Sequence, residues 1–206
     1  VSRRDVMEAL SVKYEDPYLG AILAFNVKIL PDAETEARDQ KVPIFWNDII
    51  YNLMDEYVRW VEEEREAKER KEFDTLVKPG KFEIMEGYIF RRAKPSIFGA
   101  IVLAGQLTPR VQCINQAGEK LGRISQIQEG GKAIPLAEEG KEVAVAMPQP
   151  IVGRHIKERD VLFVDIPEKH AKLLRTKYAG RLTESQNDAL RELVQLKREN
   201  DMLWAI

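Results

Sequence analysis

The segment from about 47 to 74 has the pattern of one long helix whose two halves differ in chemistry. The first half carries apolar residues at the i, i+3 and i+4 spacing of a helix that packs on another element. These residues are Ile49, Ile50, Leu53, Met54, Tyr57, Val58 and Val61. The second half, 62–72, is charged on every side, which is typical of a helix surrounded by water. At about 1.5 Å per residue the element is roughly 40 Å long, and it predicts a stiff rod between two globular pieces.

Charged residues are unevenly distributed along the chain. The segment 47–76 holds 5 basic and 10 acidic residues, whereas 77–165 holds 13 basic and 10 acidic residues. We therefore expect the helix to repel nucleic acid and the later segment to favour a polyanion mildly. Within the helix, Glu64–Lys68 and Glu66–Arg70 have the acid first at i, i+4, and we expect each pair to contribute about 0.2–0.5 kcal/mol.

The composition also excludes several classes of protein. Cys113 is the only cysteine, so an intrachain disulfide is excluded, which fits a reducing, cytoplasmic compartment. No apolar run approaches the roughly 18 residues of a membrane span, and the first residues lack the apolar stretch of a signal peptide. We expect a chain without a membrane partner, acting as a monomer. Because it does not begin with Met, we expect it to be a piece of something larger.

The first 46 residues have the pattern of an incomplete α/β domain. Ser2 and Asp5 resemble a capping box that begins a helix to about Leu10. The apolar run 22–29, the helix-like run 32–40 after Pro31, and the short run 42–45 predict a parallel βαβ unit. Two strands in 46 residues are few for an independent domain, so we predict that 1–46 is partial.

After the helix the pattern changes to short apolar and β-branched runs separated by turn signals. This alternation over 77–165 predicts a closed antiparallel β-barrel or sandwich, with Asn115–Gly118 as a hairpin loop. The remaining residues, 166–206, predict two helices on or beside the barrel. Pro167 begins the first of these, and the capping box of Thr183 and Gln186 begins the second. We also expect the apolar residues that end the chain, 203–206, to be exposed.

The sequence carries no recognisable catalytic or metal signature. It has no phosphate-binding loop and no nucleophile elbow. Two histidines, His155 and His170, and a single cysteine do not have the spacing of a zinc site. Acidic runs such as 62–64 and 138–139 are typical of solvated faces, and Cys113 lies in a strand pattern that predicts core packing.

Basic residues cluster on strands or turns of the predicted barrel. The candidates for a phosphate-binding surface are Arg91, Arg92, Lys94, Arg123, Gly153, Arg154 and His155, and the last cluster also contains Lys157 and Arg159. A glycine precedes Arg123 and Arg154, so that backbone and guanidinium can both approach a ligand, and the planar guanidinium suits phosphate. The alternative is a scatter of surface arginines on a barrel rim. Tyr88, Phe90 and Phe98 are candidates for stacking a base, with the strand core as the alternative.

Six stretches, in this order, resemble one family. They are Ser2–Met7, Ile22–Val27, Ile44–Tyr51, Val152–His155, Asp160–Val164 and Leu203–Trp204. Together they look like the C-terminal part of the archaeal and eukaryotic translation initiation factor 5B, a relative of bacterial initiation factor 2. The resemblance implies four parts: the end of domain III (1–46), the connecting helix (47–76), a barrel similar to domain II of elongation factors (77–165), and a C-terminal helical pair (166–206).

The resemblance implies a non-enzymatic part of a GTPase that promotes joining of the ribosomal subunits. GTP and Mg²⁺ would bind elsewhere in the full-length factor, with no cofactor in this chain, and the last barrel would bind the acceptor end of initiator methionyl-tRNA. The C-terminal helices would bind the tail of initiation factor 1A, and Leu190, Leu193, Val194 and Trp204 are candidates for that contact. Packing of these four residues against the barrel is the alternative.

Two other functions remain open from the sequence. The first is a protein-docking scaffold whose helices bind a partner factor without direct RNA recognition. The second is a small-substrate enzyme with a barrel active site, which the lack of catalytic spacing disfavours.

Overall fold

A computed structural model describes residues 1–199 and 201–205, which form two compact units, Val1–Asp74 and Thr75–Ile206. The helices are α1 (Arg3–Glu15), α2 (Pro31–Asp39), α3 (Ile50–Thr75), α4 (Glu168–Arg175) and α5 (Glu184–Arg198), with a 3₁₀ turn at Ala179–Arg181. The strands are β1 (Ile22–Phe25), β2 (Ile44–Asn47), β3 (Gly80–Arg91), β4 (Ser96–Leu107), β5 (Gln112–Asn115), β6 (Lys120–Arg123), β7 (Gln126–Glu129), β8 (Lys132–Ala133), β9 (Ala137–Glu138), β10 (Glu142–Met147) and β11 (Val161–Val164).

The first unit contains the predicted βαβ arrangement. Strands β1 and β2 pair in parallel, from Ile22 opposite Ile44 to Phe25 opposite Asn47, and α2 connects them. Helices α1 and α2 bury Val6, Leu10, Ala33, Ala37 and Val42 in a small core. The capping box of Ser2 and Asp5 is confirmed, although α1 continues to Glu15 rather than ending near Leu10.

Helix α3 begins three residues later than predicted, because β2 continues to Asn47. The Asn47 side chain then accepts a hydrogen bond from the Ile49 N–H at 3.0 Å, which turns the chain before the helix begins. Leu53 is buried, and the Phe45 ring packs 5.6 Å from the Trp60 ring, between centroids. The apolar stripe of the first half is therefore only partly covered, since Met54 is 54% exposed.

The charged second half of α3 is helical, and every side chain from 62 to 68 is exposed. The two predicted ion pairs, Glu64–Lys68 and Glu66–Arg70, are not formed within the described part of the chain. That prediction was wrong. An exposed pair gains so little in water that holding two long side chains in one geometry costs a similar amount.

The second unit is built on one curled antiparallel sheet with the strand order β6-β5-β11-β3-β4-β10-β7-β8. Its inner face buries large apolar side chains, among them Phe82, Phe98, Ile114, Ile127 and Leu162. The predicted hairpin at Asn115–Gly118 is confirmed, with β5 and β6 paired on either side of it. Strand β9 pairs with the end of β4.

The sheet is an open half-barrel rather than the closed barrel predicted from the sequence. Closure requires the two end strands to pair with each other. Here the end strands are β6, with 4 residues, and β8, with 2 residues. In the described residues these two strands pair only with β5 and β7, respectively, so the sheet does not close.

The C-terminal helices pack on this sheet. Helix α5 lies against β3 and β4, where the Ser185 hydroxyl accepts a hydrogen bond from the Gly105 N–H at 2.6 Å and Lys81 pairs with Glu192. The capping box at the start of α5 is confirmed, with Gln186 as its other member.

The four apolar residues considered for partner contact lie in the core of this unit. Leu190, Leu193, Val194 and Trp204 are 2%, 1%, 7% and 9% exposed, which agrees with packing against the barrel. The expectation of an exposed apolar chain end holds for Leu203, at 72% exposed, and is wrong for Trp204 and Ala205. Ile206, which shared that expectation, lies outside the described residues.

Replacing Leu193 with Ala tests the role of α5 in the core. We expect the variant to lower the free energy of unfolding by about 2–5 kcal/mol, because a buried leucine leaves a cavity. The matched control is Leu203→Ala, which removes the same atoms from an exposed position and should change stability by about 0.5 kcal/mol or less. Denaturant unfolding monitored by circular dichroism measures both values. Equal stability of the two variants would contradict the packing of α5.

Candidate nucleic-acid interface

The loop between β10 and β11 carries three of the predicted site residues. The chain turns tightly at Gly153, whose φ of +93° is in the left-handed region that glycine favours. The Gly153 N–H donates to the Ile156 carbonyl at 2.7 Å, and Nδ1 of His155 accepts from the Ile151 N–H at 3.0 Å. These bonds fix the loop backbone and leave the side chain of Arg154 exposed.

This loop is joined to the turn between β3 and β4. The Val152 N–H donates to the Arg92 carbonyl at 2.9 Å. The bond brings Arg91, Arg92 and Lys94 next to the loop, although about 60 residues of sequence separate the two segments. The structure thus brings together the predicted clusters at 91–94 and 153–155.

Two clefts flank the loop. One, of about 640 Å³, is lined by Glu86, Gly87, Ile89, Arg92, Val152, Gly153, Lys157, Glu158 and Arg159. The other, of about 760 Å³, is lined by Gln112, Glu119, Lys120, Leu121, Gly122, Gln149, Pro150, Arg154 and His155. We call the 150–156 loop, which separates the two clefts, the ridge. Of the predicted residues, Arg92 and Gly153 line the first cleft and Arg154 and His155 line the second, whereas Arg91, Lys94 and Arg123 line neither.

The cations around the ridge lack acidic partners. We call Arg91, Arg92, Lys94, Lys120, Arg123, Arg154 and Lys157 the ridge cations. Their side chains are exposed, and none makes an ion pair within residues 1–199 and 201–205. Arg159 differs, because it pairs with Glu86, and this contact raises the pKa of its guanidinium. An uncompensated cationic surface of this kind attracts phosphate groups.

The two glycine-arginine pairs differ in their surroundings. A Cβ built on Gly153 meets nothing within 4 Å, so a ligand can approach this backbone closely. At Gly122, which has φ +103°, a Cβ would lie 1.5 Å from Oε1 of Gln149. The space in front of Gly122 is therefore filled by the chain itself, and this glycine serves packing.

One ridge cation, Lys120, was not in any of the basic clusters found in the sequence. It is a single lysine beside a turn, and such lysines are common on any surface. Only the pairing of β5 with β6 places it in the same cleft as Arg154. The preceding hairpin turn, Asn115–Gly118, was the one sequence signal that could have located Lys120.

The described residues contain no group of three His, Cys, Asp or Glu side chains placed to hold a metal ion. Cys113 is buried, as predicted, and burial raises the pKa of its thiol far above the usual value. Among the same residues, no helix is long and apolar enough to span a bilayer.

Comparisons with known proteins find relatives for both units of the chain. The family model described as elongation factor Tu domain 4 matches residues 78–163, and the model of translation-initiation factor 2 matches residues 1–58. A "Probable translation initiation factor IF-2" from Hyperthermus butylicus is 42% identical over 207 residues, covering 100% of this chain and 34% of the relative. The protein of the same name from Methanosarcina acetivorans is 40% identical over 205 residues, with the same coverage of both chains.

The crystal structure of GDP-bound aIF5B from Aeropyrum pernix superposes with a TM-score of 0.64 at 39% identity, and covers 100% of this chain and 34% of that one. The chain belongs to the IF-2/5B family of translation initiation factors. It fits the C-terminal part of this family, which confirms the resemblance found in the six sequence stretches. It spans about a third of the length of the curated relatives that it matches.

His170, the second histidine, has a structural position away from the ridge. Its Nδ1 accepts a hydrogen bond from the Val77 N–H at 3.1 Å, where the chain enters the second unit. Partial burial, with the nearby charges of Lys169 and Lys78, lowers the pKa of this imidazole. The folded state therefore favours the neutral ring, which alone can accept this bond.

Removal of His170 should change how stability depends on pH. Because the folded-state pKa is depressed, the unfolded chain binds a proton more readily, and His170 makes stability fall as pH drops below about 6.5. We expect His170→Asn, which keeps a polar side chain, to lose this part of the acid dependence while carboxylate titration below about pH 5 remains. Urea unfolding at pH 5.5 and pH 7.5 measures the difference. An unchanged pH dependence in His170→Asn, measured beside the wild type, would contradict the assignment.

Proposed function

We propose that this chain binds the acceptor end of initiator methionyl-tRNA through the ridge cations. On this proposal it is the tRNA-binding part of a monomeric factor that promotes joining of the ribosomal subunits. GTP and Mg²⁺ would act in another part of that longer factor. The family supports a role in translation initiation, and the charged ridge supports RNA as the ligand.

The observation that carries the proposal is the group of exposed, unpaired cations beside two clefts of the second unit. Among the described residues, Lys81, Lys141, Arg191 and Lys197 each pair with a carboxylate, whereas isolated cations such as Arg110 and Lys132 do not. The seven ridge cations are also unpaired within this part of the chain, and four of them, Arg92, Lys120, Arg154 and Lys157, line the two clefts. A surface that gathers its uncompensated charge beside clefts is suited to phosphate and ribose, whose recognition depends on charge and hydrogen bonding.

Arg154→Ala tests this interface. We expect affinity for aminoacylated initiator tRNA to fall about tenfold, the effect of one lost charge-assisted hydrogen bond. The slope of log affinity against log salt should also become shallower by about 0.7–0.9, because one phosphate contact is lost. Fluorescence anisotropy at several salt concentrations measures both quantities.

Arg191→Ala is the matched control for that measurement. It removes the same charge from the same unit, but Arg191 lies on α5 and pairs with Asp188. We expect wild-type affinity for tRNA in this variant. Wild-type binding that does not depend on salt, or equal loss in both variants, would reject the ridge as the tRNA site.

A groove on α5 favours a second function, the docking of a partner protein. The groove has a volume of about 960 Å³ and is lined by Arg175, Ala179, Glu184, Asn187, Leu190, Arg191, Val194, Gln195, Arg198 and Glu199. Leu190 and Val194, although mostly buried, contribute an apolar floor, and three arginines surround it. An acidic, amphipathic segment such as the tail of initiation factor 1A suits this chemistry.

Arg191→Glu separates the two functions. We expect it to weaken binding of the initiation factor 1A tail about tenfold or more, because it places like charges opposite each other, and to leave tRNA affinity unchanged. Arg154→Glu should have the reverse effects. Isothermal titration calorimetry measures the affinity of each variant for tRNA and for the initiation factor 1A tail. Tail binding that tolerates Arg191→Glu would contradict the docking function.

A further inference from the structure

Two aromatic side chains of β3 lie on the outside of the second unit. Tyr88 and Phe90 are 51% and 64% exposed, whereas Phe98, the third candidate for stacking, is fully buried. The rings of Tyr88 and Phe90 are adjacent, with centroids 6.5 Å apart and planes at 71°. The alternative that all three aromatic residues lie in the strand core is therefore wrong for Tyr88 and Phe90 and correct for Phe98.

An irregularity in the β3–β4 ladder places these rings outside. Ile84 pairs with Ala100 and Ile89 with Phe98, so the four residues 85–88 stand opposite the single residue Gly99. Tyr88 lies directly over Gly99, where an added Cβ would be 2.7 Å from the Cβ of Tyr88. Only a residue without a side chain at 99 allows Tyr88 to occupy this place.

Beside the rings is a shallow cleft of about 260 Å³ on the outer face of the sheet. It is lined by Met85, Tyr88, Phe90, Gly99, Gln128, Gly130, Gly131, Glu142, Val143 and Ala144. Gly99 and Ala144 are paired across β4 and β10 and give the cleft a floor with almost no side chain. The two rings and Met85 provide its apolar surface.

We propose that Tyr88 and Phe90 form a platform on which an unpaired base of a bound RNA strand stacks. This inference rests on the proposed function, since the ridge cations would hold the backbone of the same strand. Arg91, the last residue of β3, and Arg92 follow Phe90 directly, so two unpaired cations come next to the rings along the chain. Exposed aromatics beside unpaired cations are the combination that binds single-stranded nucleic acid, and an apolar peptide would not need those charges.

The polar groups of the cleft select among bases. Glu142 has an exposed carboxylate without an ion-pair partner in the described residues, and this group only accepts hydrogen bonds. Gln128 can both donate and accept. Whereas uracil offers only its ring N3–H, adenine and cytosine each offer Glu142 an exocyclic amine as a donor. The unpaired end of tRNA, cytidine-cytidine-adenosine, consists of such bases.

The test uses the whole chain and a six-nucleotide RNA that ends in this sequence, with 2-aminopurine in place of the last adenine. Stacking on the platform should quench its fluorescence. The double variant Tyr88→Leu with Phe90→Leu keeps apolar bulk but removes both rings, and we expect a loss of affinity of about 5- to 100-fold with no quenching. The loss should be the same at low and high salt, unlike the loss caused by Arg154→Ala.

Three further variants are controls or independent tests. Tyr88→Phe keeps the ring and should bind like the wild type. Tyr14→Leu removes a highly exposed aromatic of the first unit and should have no effect. Gly99→Val displaces Tyr88 while leaving both aromatic residues in the sequence, and should weaken binding. Circular dichroism spectra that match the wild type show that each variant is folded.

The outcomes separate the platform from the proposed function. If the wild-type chain binds neither the hexanucleotide nor tRNA, the proposed function fails. If it binds RNA with salt dependence, but the double leucine variant binds equally well, the platform is overturned and the ridge stands. If the double leucine variant loses binding of a protein partner while its RNA binding is intact, the platform is also overturned. Equal affinity for RNAs ending in adenosine and uridine would overturn the role of Glu142.

Discussion

The long antiparallel pairing of β3 with β4 is the interaction on which the second unit depends. Each strand has 12 residues, and β4 also pairs with β10 and β9 and supports α5. The ladder buries Phe82 and Phe98 on its inner face. Its irregular middle, opposite Gly99, turns Tyr88 outward, and its terminal turn bonds to the 150–156 loop through Arg92 and Val152. One pair of strands thus fixes the core and both candidate surfaces.

The cations of the second unit fall into two groups, paired and unpaired, which the composition alone does not distinguish. Its paired cations hold elements together, as Lys197 does with Asp165, where both side chains are mostly buried. The seven ridge cations, in contrast, are exposed and make no ion pair in the described residues. Exposed ion pairs contribute little to stability, so leaving these cations without partners costs the fold little. The same charges remain available to a polyanion.

Sequence patterns located most elements, because each pattern reflects a local cause. The capping boxes at Ser2 and Thr183 and the hairpin after Asn115 depend on side-chain to backbone bonds within a few residues. The prediction of a closed barrel was wrong, because closure depends on whether two strands that are distant in the sequence pair with each other. The ion pairs of α3 failed for a related reason, since their small gain in water is decided by the rotamers of long side chains.

The sequence by itself determined the family, the long helix, the βαβ unit, the all-antiparallel sheet and the basic character of the ridge. The family follows from the resemblance of six stretches to known factors. The other features follow from periodicity, turn chemistry and residue type, which act over short distances along the chain. Tertiary structure alone decided that Arg92 lies beside the 150–156 loop, that Lys120 joins the ridge, and that Leu193 and Trp204 are buried. It also decided that Tyr88 and Phe90 face water, because a strand with an irregular register can turn a residue to either face of a sheet.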